Sequence, residues 1–533
     1  MNYFYLILSF LIVAFGQPAS QPVIGIVTAF VGFALFWKGM WIFDKGKKRF
    51  LLSILWFACV QGVQLSWMVS FQYMGPMILL VYLFLILSLG IQFGLLSLLI
   101  PKRPLFFSEI LGISGAWVLL EWVRLFFMTG FTWNPVGLAL TSTSFSMGWA
   151  SIGGIYFLSF WVILVNLLGY SALFFYPSRK RAGLWLGLGL LPFVFGFSQQ
   201  MLVSKNAPMF SAVLVQTSLS PEERDGRISP DHFISHWNQW RRILTYLPYE
   251  KDFDLLVLPE SALPHGAYRM VYSFENFTHL WQEKFGEASL DYLPSLKKPL
   301  AEKRGNSWYV CNAFWGQALA NLLQTEIIIG LDDQDELSQN YYNAAFHFLP
   351  DSGTPPERYE KRILVPMGEY IPWEWTKDIA AKFGIFASFT PGEEAKVFSG
   401  KIPIGISICI EEIYSSLMRE NRIKGAKLFV NITNDVWFPG IRLPKQHFYH
   451  GAVRAVENGI PIVRATNTGI TGAVDAFGRK REFLASPETA GSVYVEMPLV
   501  TYPTLYAFWG DSCILLSSMF FVLLLVRRKA SFI

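Results

Sequence analysis

The chain has 533 residues, 53% of them hydrophobic and only 16% charged, with a mean hydropathy of +0.35. That balance excludes an ordinary soluble protein of this length and puts a membrane reading first. The formal net charge of +5 sits largely in short loops between apolar runs, so it reports topology and not a nucleic-acid partner.

From the N-terminus, apolar runs occupy 2–16, 22–43, 50–69, 76–100, 108–128, 147–176 and 182–200. A bilayer core is crossed by about 20 apolar residues in a helix. The first run lacks the basic flank of a signal peptide and a second follows at once, so it is expected to stay as an anchor. Basic clusters follow every second run, "DKGKKRF", "PKRP" and "PSRKR", whereas "GQPASQP", "SFQYMG" and "TGFTWNPVGLALTSTS" carry neither Lys nor Arg. The positive-inside rule assigns the basic loops to the cytoplasm. Seven crossings then deliver the following residues to the extracytoplasmic side. In the fifth run Glu121 and Arg124 share a helical face, where charges are costly unless paired or hydrated. Arg124, near the outer end of its run, is expected to seat a lipid phosphate.

Residues 201–505 have an ordinary globular composition. Strands are expected at 210–217, 254–260, 308–315, 326–333, 341–349, 402–410, 427–435, 460–467, 471–478 and 491–499, and helices at 231–246, 412–424 and 444–458. The strands are nearly continuous Val/Ile/Leu runs, several with a polar last residue, which predicts sheets covered by helices. Segments 262–306 and 350–360 read as long loops. An eighth apolar run, 508–526, precedes the basic tail "VRRKASFI". The expected organisation is a membrane bundle at 1–200, an extracytoplasmic domain at 201–505, and a last span with its tail at 506–533. Four cysteines are too few for a disulfide scaffold. Cys59 and Cys513 fall in apolar runs; Cys311 and Cys409 could pair in an oxidising compartment.

Three strand ends carry chemistry. "VLPES" supplies Glu260, "EKRILVPMGEY" supplies Lys361 and Glu369, and "ISICIEE" supplies Cys409 with Glu411. Taken singly, each is more often a solvated carboxylate, a surface lysine or an inert packed thiol. Together they form a thiol, a carboxylate able to take its proton, and a cation for a developing oxyanion.

The order Glu, Lys, Cys at strand ends resembles the nitrilase (carbon–nitrogen hydrolase) superfamily. Its setting between seven apolar runs and one resembles the apolipoprotein N-acyltransferase family. The likeness is carried by "WVLLEWVRLFFMTGFTW" (117–133), "PESALP" (259–264), "KRILVPMGEYIP" (361–372), "NITNDVWF" (431–438) and "QHFYHGAVRAVENGIPIVRATNTGIT" (446–471). Departures are Thr132 in place of Pro, Ile410 in place of an aromatic, and Pro439 in place of a Gly–Ser type turn. The resemblance implies an αββα sandwich outside an eight-span bundle in a bacterial inner membrane. It implies transfer of an acyl chain from a phospholipid, through a thioester on Cys409, to the N-terminal amine of a lipoprotein's diacylglyceryl-cysteine. Glu260 would be the base and acid, and Lys361 the oxyanion donor with the backbone N–H of Ile410. Glu369 and Glu411 would support them. Trp437 and the loop 370–375, "YIPWEW", would face lipid. No metal, cofactor or nucleic acid is implied. Two other readings stay open: a membrane-tethered amidase hydrolysing small amides, and a non-catalytic transporter or binding module.

Overall fold

The computed structural model describes residues 2–530, except 17, 19–20, 44–45, 128–129, 176–177, 204–205, 225–228, 249–250, 336–337, 372–388 and 485. Residues 372–375 of the expected lipid-facing loop therefore lie outside the described residues.

Apolar runs become helices at Asn2–Phe15, Pro22–Ile42, Gly46–Gln64, Ile78–Leu98, Phe107–Val123, Ala150–Phe174, Arg179–Leu202 and Ser512–Ala530. Of these, Pro22–Ile42, Ile78–Leu98, Ala150–Phe174 and Arg179–Leu202 are long and apolar enough to cross a membrane. Asn2–Phe15 is shorter, and Gly46–Gln64 and Ser512–Ala530 are helical through the charges that flank their apolar stretches, Lys47, Lys48 and Arg49 in one and Arg527, Arg528 and Lys529 in the other. Large apolar side chains stand exposed along the helices, among them Leu80, Phe84 and Leu87 on one and Leu184, Val194 and Phe197 on another. An exposed apolar surface of that extent is a lipid-facing one.

The globular part is two six-stranded sheets. One runs Gly491–Pro498, Met209–Gln216, Leu255–Val257, Glu326–Gln334, Tyr341–Phe348, Glu357–Glu360. The other runs Lys480–Phe483, Gly472–Val474, Ile462–Thr466, Leu428–Thr433, Ile404–Ile408, Val397–Phe398. Three neighbouring strands in each sheet are parallel, and the flanking pairs are antiparallel. The inner faces meet through Leu214, Val257, Ile328, Ile406, Val430 and Val463. Helices His236–Thr245, Phe274–Phe285 and Asn312–Leu323 cover the first sheet. Helices Ser415–Ile423 and Arg442–Asn458 cover the second, and their apolar residues join one continuous core with the membrane helices. Both faces of each sheet are thus buried, which is why the strands carry little polar alternation.

Three expectations need correction. Segment 350–360 is not loop throughout: its last four residues, Glu357–Glu360, form a strand that pairs with Tyr341–Phe348. Segment 262–306 is not a long loop: it holds the helix Phe274–Phe285, a 3-10 turn at Glu287–Tyr292 and the strand Ala301–Arg304. The strand expected over 308–315 ends at Val310, and "NAFWGQALANLL" is a helix. Its aromatic start looks β-like, but Trp315, Ala318 and Leu319 fall on a helical face that packs on the first sheet.

The two halves dock through buried polar contacts. Gln446 Oε1 accepts from the indole N–H of Trp67 at 2.9 Å and of Trp133 at 2.7 Å, while its Nε2 donates to Gln64 O at 2.9 Å. The helix Ala150–Phe174 is interrupted at Gly154, where φ is +70° and a Cβ would meet the Tyr506 ring at 2.5 Å. The helix restarts at Ile155, whose free amide donates to Glu457 Oε1 at 2.8 Å. A carboxylate at a helix start satisfies an orphan donor and complements the dipole.

Two predictions follow from packing and burial. A Cβ on Gly330 would stand 2.4 Å from Pro259 O and 2.7 Å from Glu260 Cα. Gly330→Ala is therefore expected to lower stability by about 1–3 kcal/mol and to displace Glu260, read as a lower melting temperature together with lost activity. Burial pushes the Glu457 carboxyl up to about 7, with Arg454 opposing and Asp511 adding. A carboxyl raised on folding holds its proton more tightly in the folded state. Its contribution is complete below the ordinary value of 4.5 and is lost as pH rises from there towards about 7. Glu457→Gln keeps an acceptor for Ile155 and removes that titration, by at most about 1.4 kcal/mol per pH unit. Melting temperature should fall less steeply with pH across this window than in the parent; equal slopes would refute the assignment.

Candidate active site

Glu260 follows the strand Leu255–Val257, Asn343 lies on Tyr341–Phe348, and Lys361 follows Glu357–Glu360. The strand Glu326–Gln334 lies between the first two of these strands, and its Gly330 carries no side chain to separate Glu260 from Asn343 and Lys361. Lys361 Nζ donates to Glu260 Oε1 at 2.9 Å and to Glu369 Oε1 at 2.8 Å. Asn343 Nδ2 donates to the same two oxygens at 2.7 and 2.9 Å, and Glu369 Oε2 accepts from Val365 N at 2.7 Å. Lys361 is 1% exposed and Glu260 6%. Burial works against the ammonium, but the charges of Glu260 and Glu369 outweigh it and hold Lys361 protonated, well above its ordinary range. Burial raises the Glu260 carboxyl, opposed by Lys361 and reinforced by Glu369.

Cys409 ends the strand Ile404–Ile408 and opens a short 3-10 helix, Cys409–Ile413, with φ at +54°. A non-glycine residue in the left-handed region costs roughly 1–3 kcal/mol and marks a constrained site. Glu411 knots the turn: its carboxylate accepts from Ile408 N at 2.7 Å, Arg362 N at 2.6 Å, Ile363 N at 3.1 Å and Tyr359 OH at 2.9 Å. Glu411 thus ties the segment after Lys361 to the turn that carries Cys409. The thiol keeps partial solvent exposure yet is densely surrounded by protein. That surrounding pushes its pKa well up, Glu260 adds to the shift, and Lys361 opposes it. Ile410 follows directly, and its amide lies in the first turn of the 3-10 helix, where backbone donors lack intrahelical partners.

A second polar cluster, not singled out from the sequence, lies behind the same turn. His447 Nδ1 is 2.9 Å from Asp435 Oδ1, and His447 Nε2 is 3.2 Å from Cys409 O and 3.0 Å from Glu412 Oε1. Glu412 is in ion-pair contact with Arg464, and Asn431 Nδ2 donates to Cys409 O at 3.2 Å. Burial lowers the Arg464 guanidinium to about 9, with Cys409 opposing. A signal was present in "IPIVRATN" (460–467), where an arginine interrupts a strand otherwise apolar enough to be buried.

Arg124 lies elsewhere. It is 6% exposed, donates to Gln92 Oε1 at 2.8 Å, and lines a cavity at the junction with Glu121, His450, Arg454 and Asp511. Trp437 is 40% exposed, its ring edge-on to Tyr73 at 6.0 Å. Cys311 is a free, buried thiol, and so is unpaired with Cys409. Among the described residues no cluster of His, Cys, Asp and Glu is placed to hold a metal ion.

Two stacked sheets with Glu260, Lys361 and Cys409 gathered at their strand ends define a carbon–nitrogen hydrolase domain, and the family model of that description matches residues 233–515. The apolar helices match the model of the apolipoprotein N-acyltransferase N-terminal domain over residues 3–168. The apolipoprotein N-acyltransferase of Chlamydia pneumoniae is 31% identical, the alignment covering 96% of this chain and 94% of that relative. That of Chlamydia caviae is 32% identical over 94% and 93%. A carbon–nitrogen hydrolase structure from Helicobacter pylori aligns at 18% identity and a TM-score of 0.33, over 55% of this chain and 89% of that one. The chain belongs to the apolipoprotein N-acyltransferase family, and it is an acyltransferase enzyme of the membrane.

The electrostatics predict how the thiol titrates. In the full-length protein, alkylation of Cys409 by iodoacetamide should rise with pH without levelling off near 8.5, the value of a free thiol. Lys361→Met removes a cation acting on the sulfur and should shift the profile further to alkaline pH. Glu260→Gln removes an opposing negative charge and should shift it the other way. Shifts of the same sign in both variants would contradict the arrangement.

Proposed function

We propose that the protein transfers an acyl chain from a membrane phospholipid, through a thioester on Cys409, to the N-terminal amine of a lipoprotein's diacylglyceryl-cysteine. The observation that carries this is the Cys409 turn: a half-buried thiol acted on by both a carboxyl and an ammonium that are bonded to each other at 2.9 Å. Family membership supplies the class of acceptor.

In the first half-reaction Glu260 takes the thiol proton and the sulfur attacks the ester carbonyl. Lys361 and the Ile410 N–H stabilise the oxyanion. The ester C–O bond breaks, and Glu260 returns the proton to the departing lysophospholipid oxygen. In the second, the amine attacks the thioester and gives its proton to Glu260. The C–S bond breaks, the amide is formed, and the proton goes back to sulfur. A carboxyl raised by burial suits both directions of transfer. Glu369 holds Lys361 charged, and Glu411 holds the turn. The burial of Glu260 and Lys361 restricts water at the site, which would favour aminolysis over hydrolysis of the thioester.

We read the membrane part as eight spans with the catalytic domain on the extracytoplasmic side of a bacterial inner membrane. The alternation of basic and uncharged loops supports this. A domain resting on the bilayer spares both lipid substrates extraction, at roughly 0.8 kcal/mol for each methylene kept in lipid. Trp437 would contact that lipid at the exposed surface, and Arg124, itself buried, would meet a headgroup phosphate only through the cavity it lines with Glu121 and Asp511.

The test is intact-mass analysis after incubation with a diacyl phospholipid. Wild type should gain one acyl mass on Cys409, removable by hydroxylamine or by a diacylglyceryl-cysteinyl peptide, and Cys409→Ala should gain none. Lys361→Ala should slow the adduct by about 10²–10³-fold. An enzyme that forms no long-chain adduct yet hydrolyses small amides would replace this reading with that of an amidase.

A further inference from the structure

Glu412, Asp435, His447 and Arg464 are buried, and none takes part in the proton transfers above. What they surround is the peptide unit that follows the nucleophile. We infer that His447 is a positioning residue for acyl transfer: its Nε2–H clamps the Cys409 carbonyl and thereby aims the Ile410 N–H, with Asp435 orienting the ring. The inference deepens the assignment of Cys409 as nucleophile and rests on it.

The argument is one of planarity. Cys409 C=O and Ile410 N–H belong to one peptide unit, and a trans peptide points its oxygen and hydrogen in opposite directions. Fixing the oxygen fixes the donor. Two groups fix it from different elements, Asn431 Nδ2 from the adjacent strand and His447 Nε2 from the helix Arg442–Asn458, each at 3.2 Å. A carbonyl and a carboxylate both only accept, so both ring nitrogens carry hydrogens, Nε2–H facing Cys409 O and Nδ1–H facing Asp435 Oδ1. The clamp is needed because Cys409 is in the left-handed region at φ +54°, which an L-residue leaves unless held. If this peptide turned over, a carbonyl would stand where the oxyanion needs a donor.

The surroundings keep that proton in place. Asp435 Oδ1, 2.9 Å from Nδ1, sets the rotation of the ring. Glu412 Oε1 approaches Nε2 to 3.0 Å and competes for its hydrogen, but it accepts no aligned hydrogen bond and is met by Arg464. Trp133, from the membrane half, lies against the other side of the ring at 5.4 Å between centroids.

The test uses the full-length enzyme in mixed micelles of detergent and a diacyl phospholipid, with single-turnover formation of acyl-Cys409 as the readout. His447→Leu should slow acylation by about 10²-fold with KM for phospholipid unchanged. Iodoacetamide alkylation, which needs no oxyanion donor, should stay within about threefold of wild type. His447→Gln, whose amide offers an N–H near the Nε2 position, should recover at least about tenfold of the loss. Acylation at the wild-type rate in His447→Leu overturns the inference. So does equal impairment of the Leu and Gln variants at equal melting temperature. Should His447→Leu fail to fold, Asp435→Asn decides: slower acylation despite faster alkylation supports the clamp, and unchanged acylation refutes it. Cys409→Ala separates the two levels. If that variant still transfers acyl groups, the nucleophile is misassigned; if it is inactive while His447→Leu is unimpaired, only the clamp falls.

Discussion

A lysine ammonium with 1% of its surface exposed can be held only by groups that replace its water. Lys361 has two carboxylate oxygens within 2.9 Å, and each of those also accepts from Asn343. This four-residue set draws together the loop after Leu255–Val257, the strand Tyr341–Phe348, the residue after Glu357–Glu360 and the turn at Glu369. Removing Lys361 would leave the carboxylates of Glu260 and Glu369 facing each other, the first of them buried, so the segments are locked through that one cation. The Lys361 backbone continues that lock, its N–H donating to Asn343 O at 2.8 Å. The cation beside the thiol is therefore part of the sheet edge and not a flexible arm reaching across it.

Cys409 is braced from two sides that serve different ends. On the Glu260 side the partners are ionisable and their charges act on the thiol. On the His447 side they touch the backbone of Cys409. Glu411 joins the sides, since it binds Ile408 N ahead of the cysteine and the amides of Arg362 and Ile363 just after Lys361. The two adjacent carboxylates thus have separate structural roles: Glu411 ties chain to chain, and Glu412 balances Arg464.

Glu260 and Cys409 were singled out because each follows a run of buried strand residues, and Lys361 chiefly because the order Glu, Lys, Cys resembles that of a superfamily. Glu369 was named only from the family resemblance. The His447 cluster was not legible. Glu412, Asp435, His447 and Arg464 meet only through the parallel register that sets Asn431 beside Ser407 and Arg464, and through the helix laid across those strands. A single sequence carries no record of that register. The helices at 274–285 and 312–323 were missed for a local reason, since aromatic and small residues suit a strand as well as a helix until tertiary packing decides. Arg124 was expected to seat a lipid phosphate from its place near the outer end of an apolar run. Its burial against Gln92 reflects the loop 131–135 folding back over it, which hydropathy does not register.

The docking of the two halves explains why so many polar groups sit at a junction otherwise built of apolar residues. Apolar surfaces in lipid gain little from meeting one another, because the alternative partner is equally apolar. Orientation must come from directional contacts. Gln446 accepting two indole N–H groups, and Glu457 accepting the amide freed at the Gly154 break, each specify a position that sliding helices would lose. Both residues lie on the helix Arg442–Asn458, which also carries His447. One element therefore contacts the membrane segments through Gln446 and Glu457 and the Cys409 carbonyl through the adjoining His447.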